Sequence, residues 1–327
     1  MEKLTKGYNW FTQNSWDLYP FQQTAWVHYA QGYSGLVNAP TGSGKTYSLF
    51  IPAMLSSSGI KGLKIIWVTP IRALAKEIHN ACIRAANGVG IDWRVEIRTG
   101  DTATAIRQKQ WKDAPDMLIT TPESIHVMMA TKGYTDFFNN VEAIIVDEWH
   151  ELIGSKRGVQ IELAISRLKT ITKNELRVWG ISATIGNLEE AMDILLGVIK
   201  PPKTILIRSL LTKNIEVRSI LPDKINSLPW AGHLGLNMAH HILPLIHLYQ
   251  STLIFTNTRA QCEIWYQKLL ELDDNLAGIK AMHHGSISKE LRDWVEDALY
   301  EGKLKAVVCT SSLELGVDFR PVENIIQ

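Results

Sequence analysis

The stretch Gly35-Leu36-Val37-Asn38-Ala39-Pro40-Thr41-Gly42-Ser43-Gly44-Lys45-Thr46 decides how the chain folds. Its first four residues read as a short apolar strand, and Lys45–Ser56 reads as a helix. Between them lies a loop rich in glycine. In a strand–loop–helix unit of this kind, successive backbone N–H groups turn inward and cradle phosphate oxygens, helped by the helix N-terminus. Thr41, Gly42, Ser43 and Gly44 would form the cradle. Lys45 would reach the β- and γ-phosphates, and the Thr46 hydroxyl would ligand Mg2+. Ala39 replaces the first glycine of the general motif, while Gly44-Lys45-Thr46 is intact.

Outward from this loop, short β-branched runs alternate with longer amphipathic ones. Strands are expected at Gly35–Asn38, Lys64–Thr69, Trp93–Arg98, Asp116–Thr120, Ala143–Asp147, Arg177–Ser182 and Lys203–Arg208. Helices are expected near Phe21–Gln31, Lys45–Ser56, Ile71–Ala86, Val159–Thr172 and Asn187–Leu196. Alternation of this kind makes crossover units and a parallel sheet. The strands are apolar almost throughout rather than alternating, which fits a sheet buried on both faces. Pro122 after Thr121 predicts an N-cap with a first-turn proline. Asn187 and Glu190 have the spacing of a capping box.

After Arg208 the alternation stops. Residues 209–235 hold Pro222, Pro229, Gly232 and Gly235 and read as a connector. It then resumes with helices Leu236–Gln250, Arg259–Leu272 and Lys289–Tyr300 and strands Thr252–Thr256, Ile279–Met282 and Lys305–Cys309. The fold class is therefore α/β, with two doubly wound parallel-sheet domains in tandem over 1–208 and 236–327.

The acidic partner of the loop is Asp147-Glu148-Trp149-His150, at the end of the apolar run Ala143–Val146. Ligands of parallel sheets bind at the carboxyl ends of strands. Asp147 would thus meet the Mg2+ held by Thr46, and Glu148 could orient or deprotonate an attacking water. His150 has no second residue at metal-ligand spacing, which favours a hydrogen-bonding role beside the nucleotide.

Composition sets the remaining bounds. The 327 residues fit about two domains, and 46% hydrophobic with 20% charged residues fits a packed protein rather than a disordered one. No apolar run approaches the ~18 residues of a membrane helix. The N-terminal MEKLTKGYNWF lacks a signal-peptide core, so no membrane association and a cytoplasmic location are expected. Cys82, Cys262 and Cys309 form no CxxC pair, which argues against a disulfide framework. The net charge is +1; the stretch to Arg208 holds 23 basic against 19 acidic residues, and the remainder 11 against 14. Any nucleic-acid site must therefore be built locally. Most of the 11 tryptophans, such as Trp67 in its apolar strand, read as core.

Taken in order, these motifs resemble those of a superfamily 2 DEXH-box helicase. Phe21-Gln22 resembles a Q motif, whose glutamine recognises adenine, and makes ATP the expected nucleotide. Thr69-Pro70-Ile71-Arg72 resembles motif Ia. Arg98-Thr99-Gly100-Asp101-Thr102 and Thr120-Thr121-Pro122-Glu123 resemble the strand-tracking motifs that follow. Ser182-Ala183-Thr184 resembles motif III, which couples the two sites, and Phe255-Thr256-Asn257-Thr258-Arg259 resembles motif IV. Thr310-Ser311-Ser312-Leu313-Glu314-Leu315-Gly316-Val317-Asp318 resembles motif V, in which Gly316 and Asp318 would face the nucleotide.

A finer signature is similar to the large helicase-related (Lhr) family, and within it to the bacterial branch associated with a repair ligase. It consists of Asp147-Glu148-Trp149-His150-Glu151-Leu152, Gly154-Ser155-Lys156-Arg157-Gly158 and His283-His284-Gly285-Ser286. The resemblance implies two RecA-like domains and an ATP-driven translocase moving 3′ to 5′ on single-stranded DNA or opening RNA–DNA hybrids in DNA repair. A repair ligase and a nuclease are the implied partners. Pro70, Arg72, Arg98, Thr121, Pro122, Asn257, Arg259, His284, Gly285, Thr310 and Ser311 would contact the nucleic-acid backbone. An RNA helicase, or a clamp that binds without turning over ATP, are the alternatives.

The family pattern continues to a motif VI bearing the arginine finger, and no such segment is present. The second domain is thus expected to be incomplete after motif V, and the chain to be an N-terminal fragment that hydrolyses ATP poorly.

Overall fold

A computed structural model describes residues 4–57, 59–183, 185–211, 215–221, 235–310, 313 and 322–327, without the side chains of 72, 73 and 289. The chain divides into two compact units, Met1–Thr212 and Lys213–Gln327.

The first unit holds seven strands: β1 (Ser34–Asn38), β2 (Ile65–Val68), β3 (Val95–Arg98), β4 (Met117–Thr120), β5 (Ala143–Val146), β6 (Arg177–Ser182) and β7 (Thr204–Arg208). They form one parallel sheet in the order β3-β4-β2-β5-β6-β1-β7. The helices are α1 (Thr5–Gln13), α2 (Pro20–Ala30), α3 (Lys45–Ser56), α4 (Arg72–Val89), α5 (Thr104–Lys112), α6 (Pro122–Met129), α7 (Tyr134–Phe138), α8 (Trp149–Leu152), α9 (Lys156–Ile171) and α10 (Leu188–Leu196). Each expected strand is present to within two residues at either end. Apolar side chains pack on both faces of the sheet: one cluster holds Trp26, Trp67 and Trp179, the other Leu36, Ile144 and Trp149. Such double burial is why the central strands β2, β4 and β5 show no polar alternation, whereas the edge strand β3 alternates Val95-Glu96-Ile97-Arg98.

Four helices were not expected from the sequence: α1, α5, α7 and α8. The first is held by an aromatic cluster, with Trp10 and Phe11 edge-on to Tyr47 and Trp26. A Cβ on Gly88 of α4 would lie 1.9 Å from the Trp10 indole nitrogen, so the packing of α1 on α4 requires glycine there. The other three are too short or too polar for helical periodicity to show. The expected capping box on α10 is only half formed. Asn187 accepts from the Glu190 N–H at 3.2 Å, but the Glu190 carboxylate accepts from the Asn187 side-chain amide rather than from its backbone.

The second unit contains α11 (Ala239–Leu248), β8 (Thr252–Phe255), α12 (Arg259–Leu272), β9 (Lys280–His283), α13 (Lys289–Tyr300), β10 (Ala306–Cys309) and β11 (Asn324–Ile326). Its strands are all parallel, in the order β11-β8-β10-β9. Residues 215–221 of the expected connector have no regular structure, and 222–234 lie outside the described residues. Cys82, Cys262 and Cys309 are fully buried and form no disulfide.

Candidate functional site

The order β5-β6-β1 places three strand ends side by side, about 5 Å apart. One carries Asp147-Glu148, the next Ser182 and the third the glycine loop. Within that loop Gly42 and Gly44 have φ of 74° and 73°, a left-handed backbone that glycine adopts without penalty. A Cβ on Gly44 would also lie 2.7 Å from the Gln22 side-chain nitrogen. The base of the loop is pinned to β6, where the Ser182 carbonyl accepts from the Ala39 N–H at 3.0 Å and from the Asn38 amide at 3.3 Å. Ser43 closes the turn on the Pro40 carbonyl at 2.6 Å. Thr41 is exposed and Thr46, in the first turn of α3, is half-buried.

Lys45 is buried, and its Nζ stands 3.2 Å from Glu148 Oε1. Asp147 is 6% exposed; it accepts from the Glu148 N–H at 2.9 Å and from the Trp67 indole at 3.4 Å. Burial, and then the charge of Glu148, push the Asp147 carboxyl well above the usual carboxylate range, while Lys45 pulls it back. Glu148 has φ 46°, shared among the described non-glycine residues only by Ser15 in having a positive sign. His150 Nδ1 lies 3.4 Å from Glu148 Oε2 and 3.4 Å from the Ser182 hydroxyl, so it links the acid to the end of β6. Thr184 lies outside the described residues.

Trp149 acquires a physical role that the sequence did not reveal. It is fully buried, and its indole donates to the Ala191 carbonyl of α10 at 2.8 Å, anchoring the segment that follows Glu148. Gln22 is buried against the glycine loop. Its amide nitrogen donates to the Gly44 carbonyl at 3.0 Å and its oxygen accepts from the Tyr19 N–H at 3.0 Å, so the bonds it makes are to the protein.

The residues expected to track nucleic acid fall into two groups. In the first unit Pro70 and Thr121 are buried, and Thr121 caps α6 on the Ser124 N–H at 3.4 Å. Pro122 occupies the first position of that helix, and Arg72 opens α4. Arg98, expected to contact the nucleic-acid backbone, is packed inward. It is 8% exposed, donates to the Arg107 carbonyl at 3.2 Å and lies 5.6 Å from the Trp111 ring centroid. Burial and then Arg107 lower its pKa. Arg107, which sequence reasoning passed over, holds the same loop through the Thr99 and Gly100 carbonyls at 3.2 and 2.6 Å. The polar sequence of α5 gives no signal of this. A small cavity of about 140 Å³ lies among Arg98, Thr99, Arg107, Thr121, Glu123 and Ser124.

In the second unit, pairing of β10 with both β8 and β9 gathers another set at the strand ends. Asn257 and Arg259 are exposed at the start of α12, and Arg259 donates to the Ser286 hydroxyl beside Gly285. His284 is buried 3.6 Å from Glu263, and the Thr310 N–H donates to the His283 carbonyl at 3.2 Å. Ser311, Gly316 and Asp318 lie outside the described residues. Among the described residues no three His, Cys, Asp or Glu side chains form a metal cluster. None of the described helices is long and apolar enough to cross a membrane.

A parallel sheet whose glycine loop delivers a lysine to a strand-end Asp-Glu pair defines a P-loop nucleotide-binding domain of the RecA-like kind. The chain belongs to the DEAD/DEAH box helicase family, whose model matches residues 19–191, and the helicase conserved C-terminal domain matches residues 236–327. It is 34% identical to the ATP-dependent helicase Lhr-Core of Saccharolobus solfataricus over 97% of this chain and 38% of that one. It is 31% identical to the Lhr helicase/probable uracil glycosylase of Mycolicibacterium smegmatis over 97% of this chain and 24% of that one. The structure of Mycobacterium smegmatis helicase Lhr bound to ssDNA and AMP-PNP superposes with a TM-score of 0.84 at 32% identity, covering 98% of this chain and 43% of that one. The chain thus spans about two-fifths or less of the length of these relatives.

Proposed function

We propose that the chain acts as the ATP-hydrolysing motor of a nucleic-acid helicase, moving 3′ to 5′ on single-stranded DNA in DNA repair. The observation that carries this reading is the 3.2 Å contact between Lys45 and Glu148. It brings the phosphate-binding cation and the water-activating carboxylate to one point. A polyphosphate that takes up the Lys45 ammonium competes with Glu148 and frees its carboxylate to accept a proton from the attacking water. Thr41, Gly42, Ser43 and Gly44 supply the loop that cradles the phosphates, and Gln22 stands behind that loop where an adenine could be read. Gly316 and Asp318 belong to the same proposed nucleotide set.

Thr46 and Asp147 would hold Mg2+. Both offer oxygen, which suits this cation, and a dication relieves the burial and like charge that weigh on the Asp147 carboxylate. When bound, Mg2+ would neutralise charge on the phosphate oxygens. His150 and Ser182, with Thr184, would carry the state of Glu148 to the strand-tracking loops.

Pro70, Arg72, Arg98, Thr121 and Pro122 in the first unit, and Asn257, Arg259, His284, Gly285, Thr310 and Ser311 in the second, are the proposed backbone contacts. A solved relative bound to single-stranded DNA supports DNA as the track. Membership of the ligase-associated branch, and a repair ligase and nuclease as partners, complete the proposal.

The test is phosphate release from Mg2+·ATP with no nucleic acid, with single-stranded DNA, with RNA and with a 3′-tailed RNA–DNA hybrid. Stimulation by DNA is expected. Greater stimulation by RNA or hybrid would move the substrate to that class. Nucleic-acid binding without any hydrolysis would replace the motor by a clamp.

A further inference from the structure

The segment Gly154–Gly158 leads from the acid-bearing strand end into α9, and its arginine reaches two of the three strand-tracking segments of the first unit. Arg157 Nη2 donates to the Pro70 carbonyl at 2.7 Å. Its Nε donates to Glu123 Oε1 at 2.6 Å and Nη2 lies 3.4 Å from Glu123 Oε2, a two-point grip on one carboxylate. Pro70 stands two residues before the start of α4, and Glu123 lies in the first turn of α6. One guanidinium therefore fixes the distance between the loop carrying Arg72 and the helix end carrying Thr121 and Pro122.

Arg157 is itself placed by the nucleotide side. From Glu148 the chain runs into α8, held by the buried Trp149. The Leu152 carbonyl at its end accepts from the Ser155 hydroxyl at 2.6 Å. Ser155 caps α9 on the Gly158 N–H at 3.2 Å. A Cβ on Gly158 would lie 2.3 Å from the Leu152 oxygen, so glycine is required for α9 to start this close to α8. Eight residues, 149–156, separate Glu148 from Arg157, and the buried Trp149 and Leu152 anchor them to the core.

We propose that Arg157 is a positioning residue that registers the Pro70 loop against the Glu123 helix end and ties both to the segment leading from Glu148. The inference rests on the helicase reading above. Its side chain is 38% exposed and that of Glu123 54%. Ion pairs in such settings contribute little to stability, so the pair serves geometry. An Arg-to-Lys change is not conservative here, because an ammonium cannot hold two carboxylate oxygens and a carbonyl in one plane.

The experiment compares unaltered chain, Arg157→Ala, Arg157→Lys, Glu123→Gln and the Arg157→Ala/Glu123→Gln pair. Fluorescence anisotropy of a labelled oligo(dT) reads strand binding, a fluorescent ATP analogue with Mg2+ reads the nucleotide site, and thermal unfolding reads the fold. Arg157→Ala should weaken oligo(dT) binding roughly fivefold or more, with nucleotide affinity and unfolding midpoint unchanged. Arg157→Lys and Glu123→Gln should fall between, and the double variant should bind no worse than Arg157→Ala alone. Equal oligo(dT) binding by Arg157→Ala and the unaltered chain overturns the inference and leaves the motor reading standing. So does a parallel loss of strand affinity and folding midpoint in all three single variants. Failure of the unaltered chain to bind oligo(dT) removes both.

Discussion

Glu148 combines a left-handed backbone, an ion pair with Lys45 and a histidine neighbour. A non-glycine residue held at such a φ costs roughly 1–3 kcal/mol and persists only where its surroundings enforce it. Here the enforcement is visible on both sides. The Glu148 N–H is bound by the Asp147 carboxylate, and Trp149 is locked into the core. Glu148→Gln keeps the shape of the side chain and removes its ability to take a proton. Nucleotide binding should therefore persist while hydrolysis falls by about 10²-fold or more, read by an equilibrium ATP-analogue titration beside a phosphate-release assay. Unchanged turnover would remove Glu148 as the water-activating group. At this scale the site was largely legible from the sequence, because Lys45, Asp147 and Glu148 stand at strand ends that a parallel sheet must bring together. The inward turn of Arg98 was not legible. It depends on Trp111 and Arg107 in a helix whose polar sequence does not announce which face it packs.

At the scale of elements, the strands were readable because double burial leaves runs such as Ile65–Val68 and Ala143–Val146 uniformly apolar. The helices were less so where tertiary contacts make them. The four-residue α8 exists because Trp149 finds the Ala191 carbonyl, and α1 because Trp10 and Phe11 find an aromatic cluster. The second unit offers a measurable element-level effect at β9. Lys280, 5% exposed, donates to the Tyr266 carbonyl at 2.5 Å and stands 4.2 Å from that ring's centroid. Burial pushes its pKa down to about 8, from an ordinary 10.5. Below about pH 8 the lysine is charged in both folded and unfolded chains, and the fold bears the cost of burying it. Between there and 10.5 the unfolded chain holds more protons, so stability rises with pH, by at most about 1.4 kcal/mol per pH unit. Urea unfolding of the chain against Lys280→Met should show the difference between the two narrowing or reversing in favour of lysine as pH rises from 8 to 10. A flat difference would mean that the ammonium is effectively solvated.

For the molecule as a whole, the near-zero net charge and the small number of candidate cations predict a weak salt dependence of strand binding. Each phosphate neutralised on a single strand contributes about 0.7 to the slope of log K against log salt. With Arg98 turned inward, Arg72 and Arg259 would together give a slope of about 1.4 in magnitude. Titration of oligo(dT) across a salt series checks this, and a much steeper slope would point to a basic surface not among these residues. Among the described residues, each compact unit carries its proposed nucleic-acid contacts at or beyond the carboxyl ends of its strands or at the helix starts that follow. All three native cysteines are buried. A thiol-reactive dye therefore has no ready target in the folded chain, and a single cysteine placed on an exposed residue of either unit becomes a unique address. Pairs of such addresses turn the molecule into its own ruler, with the chemistry of the nucleotide loop left untouched.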